Sequence, residues 1–286
     1  LPKITSLPRM KTNDCDTLRR PTIFVGLGGF GGSVLTRLRQ LLADRVGSAE
    51  NIPALQLLYI DTDPDAILTA SRGTGDAVLG ENEVVFAPLR PSQHYRDSIV
   101  CSLESVSRRW FYNVPRTLRT SGMRALGRLA LLDNFPAVRD AIARSVGQAV
   151  DAPSLAKTAE HTKWPMAECD PRVFVVTSIT GGTGGGMLVD VGYAVRQILA
   201  EMGLADDDVS VLMAYNHPRG TANGLAQANA YACLRELQYF GQPGCDYPGE
   251  LACGMAGFRD AGPTFGSTYL LSECDKVDSC GSDSLA

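Results

Sequence analysis

The feature that most constrains this chain is a glycine-rich segment between two apolar runs. The segment "TSITGGTGGGML", residues 177–188, places five glycines in six consecutive positions. It follows the run "RVFVV" and precedes "MLVDVGYAV", which predicts a buried strand, a glycine loop and then a helix. Because glycine carries no Cβ, such a loop lets the main chain approach another group closely. The segment therefore predicts either tight packing of a helix on a strand or a loop that offers its N–H groups to a ligand.

A second glycine loop lies near the start of the chain, in "PTIFVGLGGFGGSVLTRLRQLLADRV". A short β-rich run leads into these glycines, and a helical pattern follows them. One apolar face of that pattern has i, i+3, i+4 spacing and consists of Val34, Leu35, Leu38, Leu41 and Leu42. The next apolar run, "ALQLLYIDTD", predicts a strand that ends in acidic residues. This order of strand, helix and strand predicts a βαβ unit, in which the two strands are parallel.

The remaining patterns continue the alternation of strands and helices. Strands are predicted in "NEVVFAPL", "RVFVVTSI", "VSVLMAYNHP" and "GSTYLLSE", and helices in "QHYRDSIVCSLESVSRRWF", on both sides of Pro136 and in "GLAQANAYACLRELQYF". In the last helix, the spacing of Tyr231, Leu234, Leu237 and Phe240 favours burial. Residues 151–171 contain three prolines and are expected to form a loop or an insertion. Together these patterns predict an α/β fold with a mostly parallel sheet.

Both glycine loops are expected at the same edge of the sheet, since each follows a parallel strand. Ligands of open α/β sheets bind beyond the C-terminal ends of the strands. Exposed N–H groups and the positive end of the following helix both favour an anion there. The hydroxyl of Thr183 adds one more hydrogen-bond donor. We interpret the two loops as a phosphate-binding site, with close helix–strand packing as the alternative for either loop alone.

Charge and hydropathy argue against several other classes of protein. The net charge of −4 and the lack of any basic run disfavour a nucleic-acid-binding surface. No apolar run reaches the roughly 18 residues that suggest a membrane span, and the N-terminal residues lack the apolar core of a signal peptide. The eight cysteines contain no C-x-x-C pair, which disfavours a zinc site and indicates reduced thiols in a cytoplasmic protein.

The first loop also suggests a different ligand. In "GLGGFG", Gly26, Gly28 and Gly31 match the dinucleotide pattern G-x-G-x-x-G, and Asp61 ends the next strand, where a ribose-binding acid would lie. An NAD-dependent oxidoreductase is therefore an alternative, although the spacing from Gly31 to Asp61 exceeds the roughly 20 residues of that pattern. A P-loop is excluded because neither loop ends in G-K-[ST]. A scaffold that has lost its ligand is the third possibility.

The motifs also resemble a known family. "TGGTGGG" is similar to the tubulin and FtsZ signature GGGTG[ST]G, "GLGGFGGSV" resembles the first phosphate loop of FtsZ, and "IDTDPDAI" resembles its "NTDAQAL" segment. "SGMRALGR" falls where that family has its γ-phosphate-sensing loop, and "ANAYACLREL" resembles the helix after its ribose loop. The closest variant is the bacterial tubulin-like domain. The resemblance implies a Rossmann-like three-layer sandwich over residues 21–275, preceded by an N-terminal arm, 1–20, and followed by a flexible tail, 276–286.

The resemblance also implies a set of nucleotide-binding residues for GTP or GDP with Mg²⁺. From the first loop it implies Gly28, Gly29, Phe30, Gly31 and Gly32, and from the second Gly181, Gly182, Thr183, Gly184, Gly185 and Gly186. Asp61, Thr62 and Asp63 match the "NTD" segment, and Asp63 is the expected metal-binding residue, since Mg²⁺ prefers oxygen ligands. As an alternative, the two acids form a turn and a helix cap before Pro64.

Residues farther along the chain match the family less closely. The resemblance implies that Gly122 and Arg124 contact the γ-phosphate. Arg219 and Asn223 are the nearest polar substitutes for the family's ribose contacts. Glu273 falls at the family's guanine-binding position. The family's acidic loop and second domain are not recognised in these residues, so hydrolysis is expected to need residues from outside them or from a neighbouring subunit. The resemblance thus implies a GTP-binding, GTPase-like domain that self-associates into an oligomer or filament.

Overall fold

The computed structural model describes residues 19–72, 78–97, 106–215 and 223–272. Within these ranges the strands are β1 (Thr22–Leu27), β2 (Leu55–Asp61), β3 (Val84–Phe86), β4 (Arg172–Ser178), β5 (Val209–Tyr215) and β6 (Ser267–Ser272). The helices are α1 (Gly28–Val46), α2 (Pro64–Ser71), α3 (Ser92–Asp97), α4 (Arg109–Tyr112), α5 (Arg124–Asp133), α6 (Phe135–Val150), α7 (Ala152–Thr162), α8 (Gly182–Glu201) and α9 (Asn223–Phe240).

All six strands are parallel, in the order β3-β2-β1-β4-β5-β6. The predicted α/β class and parallel sheet are therefore confirmed. The strand order reverses between β1 and β4, which lie side by side although about 150 residues separate them in the chain. Such a reversal opens a crevice at the C-terminal ends of the two strands, which is the usual ligand-binding position in this architecture.

Alternating side chains of the strands pack against helices on both faces of the sheet. On one face, Leu57 and Tyr59 of β2 pack with Leu35 of α1 and Ala70 of α2. On the other face, side chains such as Leu58 belong to the main core, to which α5, α6 and α8 contribute. The three layers that the family resemblance implies are therefore present, and they fix the positions of the loops at the strand ends.

The buried face of α1 agrees in part with the predicted one, since Leu35 is buried and Leu38 packs against the core. Its buried residues are Gly28, Gly31, Gly32, Leu35 and Arg39, whereas Leu41 is exposed. The glycines let the first turns of the helix lie directly on the sheet, so the buried face begins with them and continues through Leu35. Arg39 is buried because its guanidinium forms an ion pair with Glu83.

Two further predictions about segments need correction. The expected loop at 151–171 contains helix α7, and its Pro153 lies in the first turn, where a missing N–H is tolerated. On α9, Tyr231 and Leu234 are exposed, and only Leu237 and Phe240 pack against the core. The helix predicted for "QHYRDSIVCSLESVSRRWF" is described only at its ends, as α3 and α4.

The segments at the two ends of the chain are described only in part. Residues 1–18 of the predicted arm and the whole predicted tail, 276–286, lie outside the described residues. Arg19 and Arg20 are attached to the domain, because the Arg19 N–H donates to the Pro165 carbonyl at 2.7 Å and the Arg20 guanidinium pairs with Asp208 at 2.5 Å. The two residues nearest the domain therefore belong to it rather than to an arm.

Candidate functional site

The two glycine loops meet at the junction of β1 and β4. If a Cβ were added to Gly28, it would lie 3.2 Å from the amide nitrogen of Gly184 and 3.4 Å from the Thr183 Cβ. Gly28 has a φ of 69°, a conformation that residues with side chains rarely adopt. The N-termini of α1 and α8, two helices of 19 and 20 residues, therefore begin side by side at one point.

Several glycines of the two loops are required by packing. A Cβ on Gly31 would lie 2.6 Å from the Gly26 carbonyl carbon, and one on Gly32 would lie 2.4 Å from the Tyr59 ring. In the second loop, a Cβ on Gly184 would lie 2.0 Å from the Thr177 hydroxyl. The lack of a side chain at these positions therefore serves helix–sheet packing, the alternative that the sequence left open.

The second loop also packs closely against α5. A Cβ on Gly186 would lie 2.2 Å from the Arg124 carbonyl oxygen, and one on Gly182 would lie 2.8 Å from Gly122. Gly185 is less crowded, since its Cβ would lie 3.1 Å from the Ile179 carbonyl oxygen. The second glycine loop is therefore held between the end of β4 and the segment that leads into α5.

Two glycines face open space instead. A Cβ on Gly29 or on Gly181 would meet no heavy atom within 4 Å. Gly29 is exposed at the start of α1, next to the half-buried Phe30, and Gly181 is the N-cap residue of α8. Folding alone does not require glycine at these two positions, so they are the ones where a ligand best explains it.

Three threonine hydroxyls converge beside the glycine loops. The Thr183 hydroxyl lies 2.8 Å from that of Thr62, at the end of β2, and 3.4 Å from that of Thr120, before α5. All three side chains are buried. The cluster ties together the segments after β2, before α5 and after β4, and it gives the site a polar wall.

Asp61 ends β2 and turns inward. Its carboxylate accepts hydrogen bonds from the Tyr59 hydroxyl at 2.5 Å and from the N–H groups of Thr62 at 2.6 Å and Asp63 at 3.2 Å. Burial raises the pKa of Asp61, and the Tyr59 hydrogen bond opposes that rise. Because the carboxylate is buried and already accepts from three donors, it shapes the loop, and this weakens the support for Asp61 as a ribose-binding acid of an NAD site.

Asp63 forms the helix cap that the sequence offered as an alternative. Its side chain accepts from the Asp65 N–H at 3.0 Å, and Pro64 occupies the first turn of α2. A second oxygen of Asp63 lies 3.2 Å from Nη1 of Arg119, and Nη2 of Arg119 pairs with Asp65. Asp63 is thus both a cap and an ion-pair partner, and its side chain remains partly exposed to the site.

Arg119 is the basic side chain at this site, and sequence reasoning did not identify it. It borders a recess of about 300 Å³ at the strand ends, whose walls are Gly29, Asp61, Thr62, Asp63, Ala66, Arg119, Thr120, Ser121 and Thr183. "RTLRTSGMR" contains three arginines at 116, 119 and 124, and no sequence signal distinguishes them. Only the fold shows which of the three reaches the recess.

Arg124, the predicted γ-phosphate contact, instead links the second glycine loop to α9. Its Nε donates to the Gly185 carbonyl at 2.8 Å, and its other nitrogens pair with Glu236 on α9. It does not line the recess. The structure therefore assigns to Arg124 the positioning of the second glycine loop, and the basic group of the recess is Arg119.

Gly122 and Asn229 connect the loop before α5 to the second glycine loop. Gly122 has a φ of 80°, and its carbonyl accepts from Nδ2 of Asn229 at 2.7 Å. The same Nδ2 donates to the Thr180 carbonyl at 2.9 Å. Asn229 lies on α9 and was not predicted to matter, since an asparagine within a helix pattern gives no distinctive signal.

The predicted base and ribose contacts lie beyond what the structure describes. Arg219 and Glu273 fall outside the described residues, and Asn223 begins α9 with a side chain that is likewise outside them. Within the described ranges, no helix has the length and apolar character of a membrane span. In those ranges the structure also contains no group of three His, Cys, Asp or Glu side chains arranged to hold a metal ion.

Most of the chain matches a known protein family. The model of a family described as "Tubulin like" matches residues 23–279. No curated protein gave a match. Among solved structures, CetZ from Methanosaeta thermophila strain DSM 6194 is 15% identical, with a TM-score of 0.45 over 77% of this chain and 42% of its own.

Two structures from Haloferax volcanii match this chain with comparable identities and TM-scores. CetZ1, described as a GDP-bound monomer, is 15% identical, with a TM-score of 0.44 over 75% of this chain and 47% of its own. CetZ2, described as a GTPγS-bound protofilament, is 18% identical, with a TM-score of 0.43 over 75% of this chain and 45% of its own. The chain thus spans less than half of the length of each of these proteins.

Proposed function

The chain belongs to the tubulin-like family, and on that premise we propose that its two glycine loops bind the phosphates of a guanine nucleotide, GTP or GDP. The observation that carries this proposal is the close approach of Gly28 to Thr183 and to the Gly184 main chain at the β1–β4 junction. Two long helices begin there, and helix N-termini favour anions through their free N–H groups and their dipoles. One phosphate chain placed at the junction would lie within reach of both.

The side chains around the junction suit a phosphate ligand. Thr62, Thr120 and Thr183 supply hydroxyl groups, and Arg119 supplies the positive charge at the rim of the recess. Gly29 and Gly181 leave open space that a phosphate would occupy. The recess thus offers neutral donors near the main chain and one guanidinium farther out, a distribution that matches a group with several negative charges.

Mg²⁺ is part of the proposal, with Asp63 as the residue that would hold it. Mg²⁺ usually keeps several waters and is bound by one or two carboxylates together with phosphate oxygens. Asp63 is the partly exposed carboxylate of the recess, whereas that of Asp61 is buried and fully engaged. The ion would neutralise charge on the phosphates, and Asp63 would orient its water shell.

Self-association is the second part of the proposal. Tyr269, Leu270 and Leu271 are exposed on β6, the edge strand of the sheet, and Tyr231 and Leu234 are exposed on α9. An exposed apolar edge strand favours association with another chain or segment. Sedimentation of the chain with and without GTP and Mg²⁺ tests this part, since a monomer under both conditions would contradict it.

The ligand itself is tested by thermal unfolding with GTP, ATP or NAD, each with Mg²⁺. A ligand present at 100 times its Kd stabilises the native state by about 2.7 kcal/mol, which corresponds to a rise of roughly 4–5 °C in Tm for a chain of this size. We expect the largest rise with GTP. A larger rise with NAD would support the oxidoreductase alternative, and no rise with any nucleotide would support a scaffold without a ligand.

A further inference from the structure

We propose that Arg119 is the residue that distinguishes a triphosphate from a diphosphate at this site, and that Asp63 and Asp65 hold its guanidinium until nucleotide binds. The proposal rests on the proposed nucleotide-binding function. It deepens that function by assigning the discrimination to one side chain and by making the divalent cation a partner in it.

The position of Arg119 in the sheet architecture is the first support. The recess lies at the end of β2, whereas the predicted base contacts, 219, 223 and 273, follow β5 and β6 on the other side of the β1–β4 junction. A nucleotide with its base toward β5 and β6 and its phosphates at the junction directs its last phosphate toward β2. Arg119 is the basic group at that end of the recess.

The partners of Arg119 are the second support. Nη1 lies 3.2 Å from an Asp63 oxygen, and Nη2 pairs with Asp65, while 45% of the Arg119 side chain remains exposed. Exposed ion pairs contribute little to stability, so the guanidinium can leave these carboxylates at small cost. A phosphate offers it a geometrically matched, more highly charged partner that can accept two hydrogen bonds.

The main chain around Arg119 is constrained, which leaves the side chain as the part that can move. Leu118, Ser121 and Gly122 have φ values of 54°, 48° and 80°, and the first two are not glycines. The loop is held because Gly182 packs against Gly122 and the Asn229 amide binds the Gly122 carbonyl. Unusual backbone conformations that the surrounding structure holds in place are found preferentially at functional sites.

The charges of the recess couple the cation to the nucleotide. With Arg119 displaced, the carboxylates of Asp63 and Asp65 would repel a phosphate, and a divalent cation at Asp63 removes part of that repulsion. A cation on Asp63 also competes with Arg119 for the same oxygen and so releases the guanidinium toward the phosphate. Mg²⁺ and the triphosphate should therefore each strengthen the binding of the other, and Arg119 should transmit part of this coupling.

Titration of GTP and of GDP, each with and without Mg²⁺, tests the proposal by isothermal calorimetry. We expect Arg119→Ala to weaken GTP binding with Mg²⁺ by at least about tenfold, since charge-assisted hydrogen bonds are lost, and GDP binding by less than about threefold. Arg119→Lys should recover part of the loss, because it restores the charge but not the bidentate geometry. Arg116→Ala is the matched control: Arg116 is exposed, belongs to the same connection and does not line the recess.

A double-mutant cycle tests the holding role of Asp65. Without Mg²⁺, Asp65→Asn should tighten GTP binding by about two- to fivefold when Arg119 is present, and by clearly less in the Arg119→Ala background, where only the relief of carboxylate repulsion remains. Equal losses of GTP and GDP affinity in Arg119→Ala, or the same Asp65→Asn gain in both backgrounds, would overturn the proposal. If wild type binds neither nucleotide, the proposed function itself fails, which is a different result from binding without discrimination.

Discussion

The hydroxyl groups of Thr62 and Thr183 lie 2.8 Å apart and join the end of β2 to the second glycine loop. Both side chains are buried, and Thr183 also approaches the Thr120 hydroxyl. This pair links the acidic segment after β2 to the second glycine loop, after β4. The stability of the site and its capacity to bind a ligand are therefore expected to depend on the same hydroxyl.

Thr183→Val is predicted to lower the free energy of unfolding by about 1–3 kcal/mol, because it leaves the buried Thr62 hydroxyl without this partner. The volume of the side chain is preserved, so the loss reports the hydroxyl. Urea unfolding measures the change, and Thr183→Ser, which keeps the hydroxyl, should lie much closer to wild type. A valine variant as stable as wild type would show that the pair contributes nothing.

Asn229→Ala is predicted to destabilise the chain by about 1–3 kcal/mol, since two carbonyl groups lose their shared donor. Those carbonyls belong to Gly122 and Thr180, so the loop before α5 and the second glycine loop should also become more accessible to hydrogen exchange. Hydrogen exchange followed by mass spectrometry measures the second effect. Gln227→Ala, on the exposed side of the same helix, is the control, and equal effects in both variants would contradict the role of Asn229.

The raised pKa of Asp61 predicts a dependence of stability on pH. Burial is its largest cause, so the folded state holds the Asp61 proton more tightly than the unfolded state does. The stability that this proton contributes is complete below the unfolded pKa, about 3.9, and is lost as the pH rises through the folded pKa. Relative to Asp61→Asn, wild type should therefore lose stability over the pH interval that begins at about pH 4 and extends upward through the folded-state pKa of Asp61.

Urea unfolding of wild type and Asp61→Asn across that interval measures the difference. Asp44→Asn, at an exposed position on α1, serves as the control for a change of one charge. A wild type that gains stability relative to Asp61→Asn as the pH rises would mean that the hydrogen bonds to the carboxylate outweigh its burial. That result would show that hydrogen bonding, and not burial, determines the direction of the Asp61 pKa shift.

Much of the fold was predictable because local patterns determined it. The apolar runs of β1, β2, β4, β5 and β6 and the glycines that end two of them are contiguous in sequence, so their type and order could be predicted. The α1 face was predicted only in part, because Gly31 and Gly32 lie on the sheet together with Leu35. A glycine carries no hydrophobic signal, so periodicity alone could not reveal this.

The site was predictable in its loops and not in its side chains. Gly28 and Thr183 were predicted to share one ligand, and the structure brings them so close that a Cβ on Gly28 would lie 3.4 Å from the Thr183 Cβ, although ligand binding itself stays a prediction. Arg119 and Asn229 could not be found because their partners lie far away in sequence: Asp65 is 54 residues from Arg119, and Gly122 is 107 residues from Asn229. Such contacts depend on how the long connection between β3 and β4 packs, which local sequence does not specify.

The most direct test measures the Kd of GTP with Mg²⁺ for Gly29→Val and Gly181→Val. A Cβ at either position would meet no heavy atom of the protein within 4 Å, so both variants should keep an unfolding midpoint close to that of wild type. Gly147→Val is the matched control, because Gly147 also faces open space but lies on α6, away from the site. The account predicts a loss of at least about tenfold in affinity for Gly29→Val and Gly181→Val, about 1.4 kcal/mol, and none for Gly147→Val. Wild-type affinity in both site variants would contradict the claim that the main chain of these two loops holds the phosphates.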